Sequence, residues 1–142
     1  MVTQSMQSID EQLNSLVVEL NRSFLQYLYE CSPYAASGTE DAARVMQLAS
    51  IQQQDVGVLC DVLLERQWPI DFGTYPTAYT ASQYNSLEAM AGTLAESQQI
   101  VMSRLQEVTA ACSEDAFVTE VLKQLLQNEQ AILDDLSAIS KK

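Results

Sequence analysis

The sequence contains no histidine, and its 142 residues include only four glycines, three prolines and three cysteines. Without an imidazole, the chain can form neither a Ser-His-Asp triad nor a Cys-His pair for nucleophilic catalysis. Cys31, Cys60 and Cys112 are widely spaced and form no Cys-x-x-Cys pair, which excludes zinc-ribbon and thioredoxin-like sites. No glycine-rich phosphate-binding loop is present, and the scarcity of glycine and proline disfavours a turn-rich β fold.

Basic residues are also scarce. The chain has seven Lys and Arg residues and 19 Asp and Glu residues, which give a formal net charge of −12. A surface this negative repels phosphate backbones and anionic lipids, so we expect no binding to nucleic acid or membranes. No segment approaches the roughly 20 apolar residues of a membrane span. The first residues also lack the basic and apolar regions of a signal peptide. The predicted location is therefore the cytoplasm.

The remaining composition is that of an ordinary globular protein, with 47% hydrophobic residues. Ser8 and Glu11 have the spacing of a capping box at the start of a helix. Pro33 and Pro69 end helical segments, because the residue before a proline avoids the α conformation. Apolar residues recur at steps of three and four between these signals. This pattern predicts one domain over 1–142 with four helices at about 8–32, 40–67, 81–112 and 114–140.

The segment 68–79 is the only long connection between these predicted helices. Short links make neighbouring helices antiparallel, whereas a long link can run along a bundle and leave two helices parallel. The sequence therefore predicts an all-α fold, an antiparallel four-helix bundle with a long crossover between the second and third helices. An apolar loop of this length is expected to pack on the helices. It either covers the edge of the bundle or forms a docking surface through Trp68, Phe72, Tyr75 and Tyr79.

Polar residues interrupt the apolar stripes near the middle of three predicted helices, at Gln52, Gln98 and Glu129. Mid-helix positions lie at similar heights in an antiparallel bundle, so we expect one polar layer inside the core. Beside the stripes at similar heights lie Arg22, Asp55 and Glu96. A buried carboxylate costs several kcal/mol, so Glu129 must be paired, protonated, hydrated or metal-bound. Two simpler interpretations remain: Glu129 is half-exposed, or the glutamines hydrogen-bond across the core and Arg22 neutralises a carboxylate.

The spacing of these residues resembles that of the ferritin-like four-helix bundle superfamily along almost the whole chain. Its di-iron members carry a Glu on helices one and three and a Glu-x-x-His motif on helices two and four. In the second predicted helix, Gln52 and Asp55 stand at the Glu and His places of that motif. In the fourth, Glu129 matches the Glu place, whereas Ile132 stands where the family has His.

The resemblance continues on the other two predicted helices, where Glu96 matches the lone Glu of helix three and Arg22 stands at the Glu place of helix one. The absent histidines and the arginine depart from the di-iron pattern. The resemblance thus implies a vestigial core site in which Arg22 is the counter-charge for Glu96 and Glu129. We expect no cofactor and no catalysis. If a metal binds, its ligands are expected to be Asp55, Glu96 and Glu129.

Three functions follow as expectations. The first is a non-catalytic ferritin-like bundle that acts as a structural or interaction module. The second is a metal-binding member of that family with an atypical carboxylate-rich site for a divalent metal such as iron or manganese. The third is a helical adaptor or stress-response protein that is unrelated to metals. Because family members often assemble through bundle faces, the resemblance also implies a homodimer or another protein partner.

Overall fold

The computed structural model describes residues 8–31, 40–76, 79 and 87–141, and the regular secondary structure of this part of the chain is entirely helical. The predicted all-α class is therefore confirmed. None of the helices in these residues combines the length and apolarity needed to cross a membrane. The helices are α1 (Ile9–Asn21), α2 (Phe24–Cys31), α3 (Glu40–Glu65), α4 (Leu87–Ala111) and α5 (Ala116–Ser140).

The first predicted helix is two helices, because the chain breaks between α1 and α2 at Arg22 and Ser23. The predicted capping box at the start of α1 is confirmed: the Glu11 amide donates to Ser8 Oγ at 3.1 Å, and the Ser8 amide donates to Glu11 Oε1 at 3.3 Å. At the break, Ser23 Oγ accepts from the backbone amide of Gln26 at 3.3 Å. Ser23 therefore starts α2 in the way a serine N-cap does.

The other helix ends follow similar local rules. The helix α3 ends before Gln67, which has a φ of 59° and turns the chain away from the helix axis. Asp115 caps α5, since its Oδ1 accepts from the Val118 amide at 3.0 Å. The predicted start of the third helix near residue 81 lies outside the described residues, and α4 is described from Leu87.

The core consists of two apolar clusters with polar residues between them. The main contacts between helices are those of α4 with α5, of α1 and α2 each with α3 and α4, and of α3 with α5. The first cluster is formed by buried residues within 13–20 of α1, 56–63 of α3, 101–108 of α4 and 118–125 of α5, together with Cys112 just after α4. The second is formed by buried residues within 24–28 of α2, 42–49 of α3, 90–94 of α4 and 132–136 of α5.

The connection after α3 packs along these helices, as its apolar composition predicts. Trp68 contacts the first cluster, whereas Tyr75 and Tyr79 contact the second. At Gly73, φ is +70°, and a Cβ atom would lie 2.6 Å from Cγ1 of Val18. Only glycine adopts a positive φ without strain and also lacks the Cβ atom that would clash with Val18. Gly73 therefore allows the connection to lie directly on α1.

Candidate functional site

A polar layer lies between the two apolar clusters, and every side chain in it is at most 4% exposed. Its members come from the start of α2 and from α3, α4 and α5, so the layer joins the helices of the core. The buried polar residues are Ser23, Gln26, Gln52, Asp55, Gln98 and Glu129. Three of them, Gln52, Gln98 and Glu129, are the residues that the interrupted apolar stripes predict to be buried together.

Glu129 lies at the centre of the layer with no solvent exposure. Its Oε1 atom accepts two amide hydrogen bonds, one from Gln52 Nε2 and one from Gln98 Nε2, both at 2.8 Å. Gln98 Nε2 also donates to the backbone carbonyl of Glu129 at 3.1 Å. Among the described residues, no ion pair includes Glu129. One oxygen of this buried carboxyl is therefore satisfied by neutral amides instead of a cation.

Gln52 is the hub of the layer, because its amide group uses every hydrogen bond available to it. Its Oε1 accepts from Ser23 Oγ at 2.7 Å and from Gln26 Nε2 at 3.1 Å. Its Nε2 donates to Gln98 Oε1 at 3.2 Å as well as to Glu129. Rotating this amide by 180° would set its N–H groups against the Gln26 amide donor, so the network fixes its orientation.

Asp55 provides the second carboxyl of the layer. Its Oδ1 accepts from Asn128 Nδ2 at 2.9 Å. The atoms Asp55 Oδ2 and Glu129 Oε2 are both buried, and no N–H or hydroxyl group of the described residues donates a hydrogen bond to either of them. Two buried acceptors without donors destabilise the folded state unless a proton or a cation lies between them.

The pKa of Glu129 favours a proton between the two carboxyls. The pKa of Glu129 is raised from 4.5 to about 8, chiefly by burial and then by the hydrogen bond with Asp55, while the amides of Gln98 and Gln52 partly oppose the rise. Without a bound metal, a carboxyl with this pKa is protonated at neutral pH. A proton on Oε2 that is donated to Asp55 Oδ2 satisfies both of the otherwise unpartnered oxygens.

The structure contradicts the predicted role of Arg22. Its Nε donates to the carbonyl oxygens of Phe72 and Gly73 at 3.1 and 3.0 Å, and its guanidinium lies 4.8 Å from the centre of the Tyr75 ring. Arg22 therefore ties the connection after α3 to the end of α1 and does not neutralise the buried acid. The physical reason is the helix break, which gives the inward positions to Ser23 and Gln26 instead.

The predicted placement of Glu96 in the layer is also wrong, because its side chain is exposed. It lies two residues before Gln98, and two residues of α-helix turn the side chain by about 200°. Gln98 faces the layer, so Glu96 faces away from it. The expected pairing of Arg22 with Glu96 and Glu129 is therefore not formed.

The donor set of the layer does not fit a di-iron centre. The lone pairs of Glu129 Oε1 face two amide N–H groups, which leaves Glu129 Oε2 and Asp55 Oδ2 as the carboxylate oxygens free of donors. A metal site of the family needs four carboxylates and two imidazoles. Within the residues that the structure describes, no group of three or more His, Cys, Asp or Glu side chains is placed to hold a metal ion.

The aromatic residues proposed as a docking loop are mostly turned inward. Tyr75 and Tyr79 lie within ring-stacking distance of Tyr27, with centroids 5.4 Å away in each case. Trp68 is half-buried against the first cluster, and Phe72 is 45% exposed. Three of the four therefore cover the helices, and Phe72 alone among them presents a large exposed surface.

Sequence reasoning missed two members of the layer and one side chain that hydrogen-bonds to it. Ser23 and Gln26 have the Ser-x-x-Gln spacing of a helix start, which is a signal that could have located the break. Asn128, which orients Asp55, is adjacent to Glu129 and has no comparable signal. Comparison with known proteins found no match to a family model, to a curated protein or to a solved structure.

Proposed function

We propose that this chain is a non-catalytic four-helix bundle of ferritin-like architecture that acts as a structural or interaction module. The observation that carries the proposal is the enclosure of Glu129 Oε1 by the amides of Gln52 and Gln98. In ferritin-like metal proteins, the corresponding carboxylate offers its lone pairs to a metal. In this chain, they are used by hydrogen bonds within the core.

The order of the apolar clusters supports the bundle and its crossover. The chain passes from the first cluster to the second through α1 and α2, and from the second to the first through α3. It again runs from the second cluster to the first through α4, and α5 returns it to the second. Helices α3 and α4 are then parallel. The connection between them runs from Trp68 at one cluster to Tyr79 at the other, as a long crossover requires.

The burial of the layer supports a role without catalysis. A general acid or base must come within hydrogen-bonding distance of its substrate. Asp55 and Glu129 are at most 2% exposed, and apolar clusters lie on both sides of them. The layer is therefore better suited to fixing how the helices pair than to turning over a substrate.

A second candidate is a divalent-metal site of unusual composition. It is favoured by the two buried oxygens, Asp55 Oδ2 and Glu129 Oε2, that receive no donor. A divalent cation that prefers oxygen ligands, such as Mn²⁺ or Fe²⁺, would satisfy both atoms as a proton does. The two candidates therefore differ in what lies between these carboxyls.

A thermal melt of the chelator-treated chain, with and without Fe²⁺, Mn²⁺ or Zn²⁺, separates the two candidates. A metal that binds only the folded state at 100 times its Kd stabilises it by about 2.7 kcal/mol. In a domain of this size, that raises the midpoint by roughly 5–10 °C. We expect no such rise. A rise that Glu129→Gln abolishes, and that the surface variant Asp134→Asn retains, would overturn the proposal.

A further inference from the structure

Exposed apolar side chains gather in a groove between α3 and α5. Six large apolar side chains of the described residues are exposed, and three of them line this groove. They are Val58, Leu64 and Phe117, at 40%, 63% and 62% exposure. Val62 and Val121 complete the apolar lining, and the groove encloses about 550 Å³. Apolar side chains that are exposed together and rimmed by polar residues are a feature of interaction surfaces, whereas apolar side chains exposed singly are common on any protein.

The charged residues of the groove are all acidic. Asp61 and Glu65 lie in its lining, which contains no basic residue. The nearest cation along the chain is Arg66, and its guanidinium already pairs with Asp10 and Asp115. The groove therefore combines an apolar lining with a negative edge, in a chain whose net charge is −12.

We propose that this groove binds one amphipathic helix of a partner protein, with apolar side chains that enter the groove and Lys or Arg residues beside Asp61 and Glu65. This inference rests on the proposed function as an interaction module and names its partner class. The lining residues Val58 to Glu65 cover two turns of α3, about 10 Å of helix. A partner helix of similar length can place anchors at i, i+3 or i+4, and i+7, as helix-in-groove complexes do.

The charge pattern disfavours other occupants. A symmetric contact between two copies of this chain would bring Asp61 and Glu65 of both copies to one interface. Like charges placed together at an interface cost several kcal/mol, and each copy already carries a charge of −12. An anionic lipid surface is repelled for the same reason. The binding of a basic amphipathic helix is instead favoured by the negative charge of the groove as well as by its apolar lining.

The test uses two synthetic peptides of about 15 residues and the same Leu and Lys composition. One has leucines at helical i, i+3, i+4 and i+7 spacing, and the other is scrambled. Fluorescence anisotropy with the intact chain measures both Kd values at low and physiological salt. We expect the amphipathic peptide to bind about tenfold more tightly or better. Phe117→Ser should weaken it by about tenfold or more, whereas Ile100→Ser, which removes an equally exposed side chain elsewhere, should leave its Kd unchanged.

The charge contribution is tested with the double variant Asp61→Asn, Glu65→Gln. It should reduce the salt dependence of the amphipathic peptide's affinity, and Asp134→Asn should not. A melting curve of each variant confirms that it is folded, which is expected because the substituted side chains are exposed.

Three results would overturn the inference. Equal binding of both peptides, or equal effects of Phe117→Ser and Ile100→Ser, would show a general attraction to an acidic surface. A dimer in sedimentation analysis that Phe117→Ser converts to a monomer would make a second copy the occupant. None of these results alters the metal-binding melt, so a failure of this inference can be distinguished from a failure of the proposed function.

Discussion

Replacing Glu129 by glutamine is expected to remove a pH dependence from the stability of the fold. The pKa of Glu129 is raised from 4.5 to about 8 in the folded chain, chiefly by burial and then by the hydrogen bond with Asp55. Between these two values, the folded state binds a proton that the unfolded state has released. The free energy of unfolding must therefore fall as pH rises through this window.

The magnitude follows from the size of the shift. Each pKa unit corresponds to 1.36 kcal/mol, so a rise of about 3.5 units, from 4.5 to about 8, contributes about 5 kcal/mol. This contribution is fully present below pH 4.5 and is lost as pH approaches 8. Its sign is opposite to that of a carboxylate in a salt bridge, whose stabilising effect is lost as pH falls.

Glutamine at position 129 imitates the protonated acid without titrating. Its carbonyl oxygen can accept from Gln52 and Gln98, and its amide can donate to Asp55 Oδ2. Relative to the unsubstituted chain, Glu129→Gln should therefore gain about 1 kcal/mol at pH 5.5, about 3 kcal/mol at pH 7 and about 5 kcal/mol at pH 8.5. Urea unfolding followed by circular dichroism at constant ionic strength measures these differences.

The matched control for this experiment is Asp134→Asn, which removes the same charge from an exposed position on the same helix. It should follow the unsubstituted chain within about 0.5 kcal/mol at every pH. If the curve of Glu129→Gln also runs parallel to that of the unsubstituted chain, then Glu129 is ionised in the folded state. The proton shared with Asp55 would then be refuted.

Two further substitutions test how the connection after α3 is attached. Arg22→Ala should lower the free energy of unfolding by about 1–3 kcal/mol, because it removes the hydrogen bonds to the carbonyls of Phe72 and Gly73. If urea unfolding shows a loss below about 0.5 kcal/mol, Arg22 does not attach the connection to α1. Gly73→Ala should cost about 1–3 kcal/mol through its positive φ and its clash with Val18, and Val18→Ala should recover the part due to the clash. The control Gly57→Ala has no atom within 4 Å of the added Cβ, so it should stabilise the chain by up to about 1 kcal/mol.

The sequence predicted the helical class and part of the polar layer, because both follow from periodicity. A buried face recurs every 3.6 residues, so a polar residue on that face is visible as an interruption. Gln52, Gln98 and Glu129 each interrupt a stripe, and the structure buries all three. The capping box at Ser8 was equally visible, because it depends on two residues that are close in the sequence.

The placement of Arg22 and Glu96 could not be obtained in the same way. The apolar stripe predicts a single helix across positions 8–32, whereas the break at Ser23 changes which side chains face inward beyond it. Ser23 and Gln26 thus entered the layer while Arg22 turned to the carbonyls of Phe72 and Gly73. The ferritin-like pattern places Glu96 in the layer because it matches residues by their order along the chain, and that order does not determine which face of a helix each residue occupies.

A buried acid can be neutralised by a cation, a metal or a proton, and residue types alone do not choose among them. The choice follows from counting the donors at each oxygen of Glu129. Two amides occupy Oε1, and Oε2 is left with the Asp55 carboxyl, which accepts from Asn128 on its other oxygen. A buried polar layer usually stabilises a fold less than apolar residues of similar volume would. A shift of α3 against its neighbours, however, would separate Gln52 from its partners and leave Glu129 without donors, so the layer favours one alignment of the helices over the others.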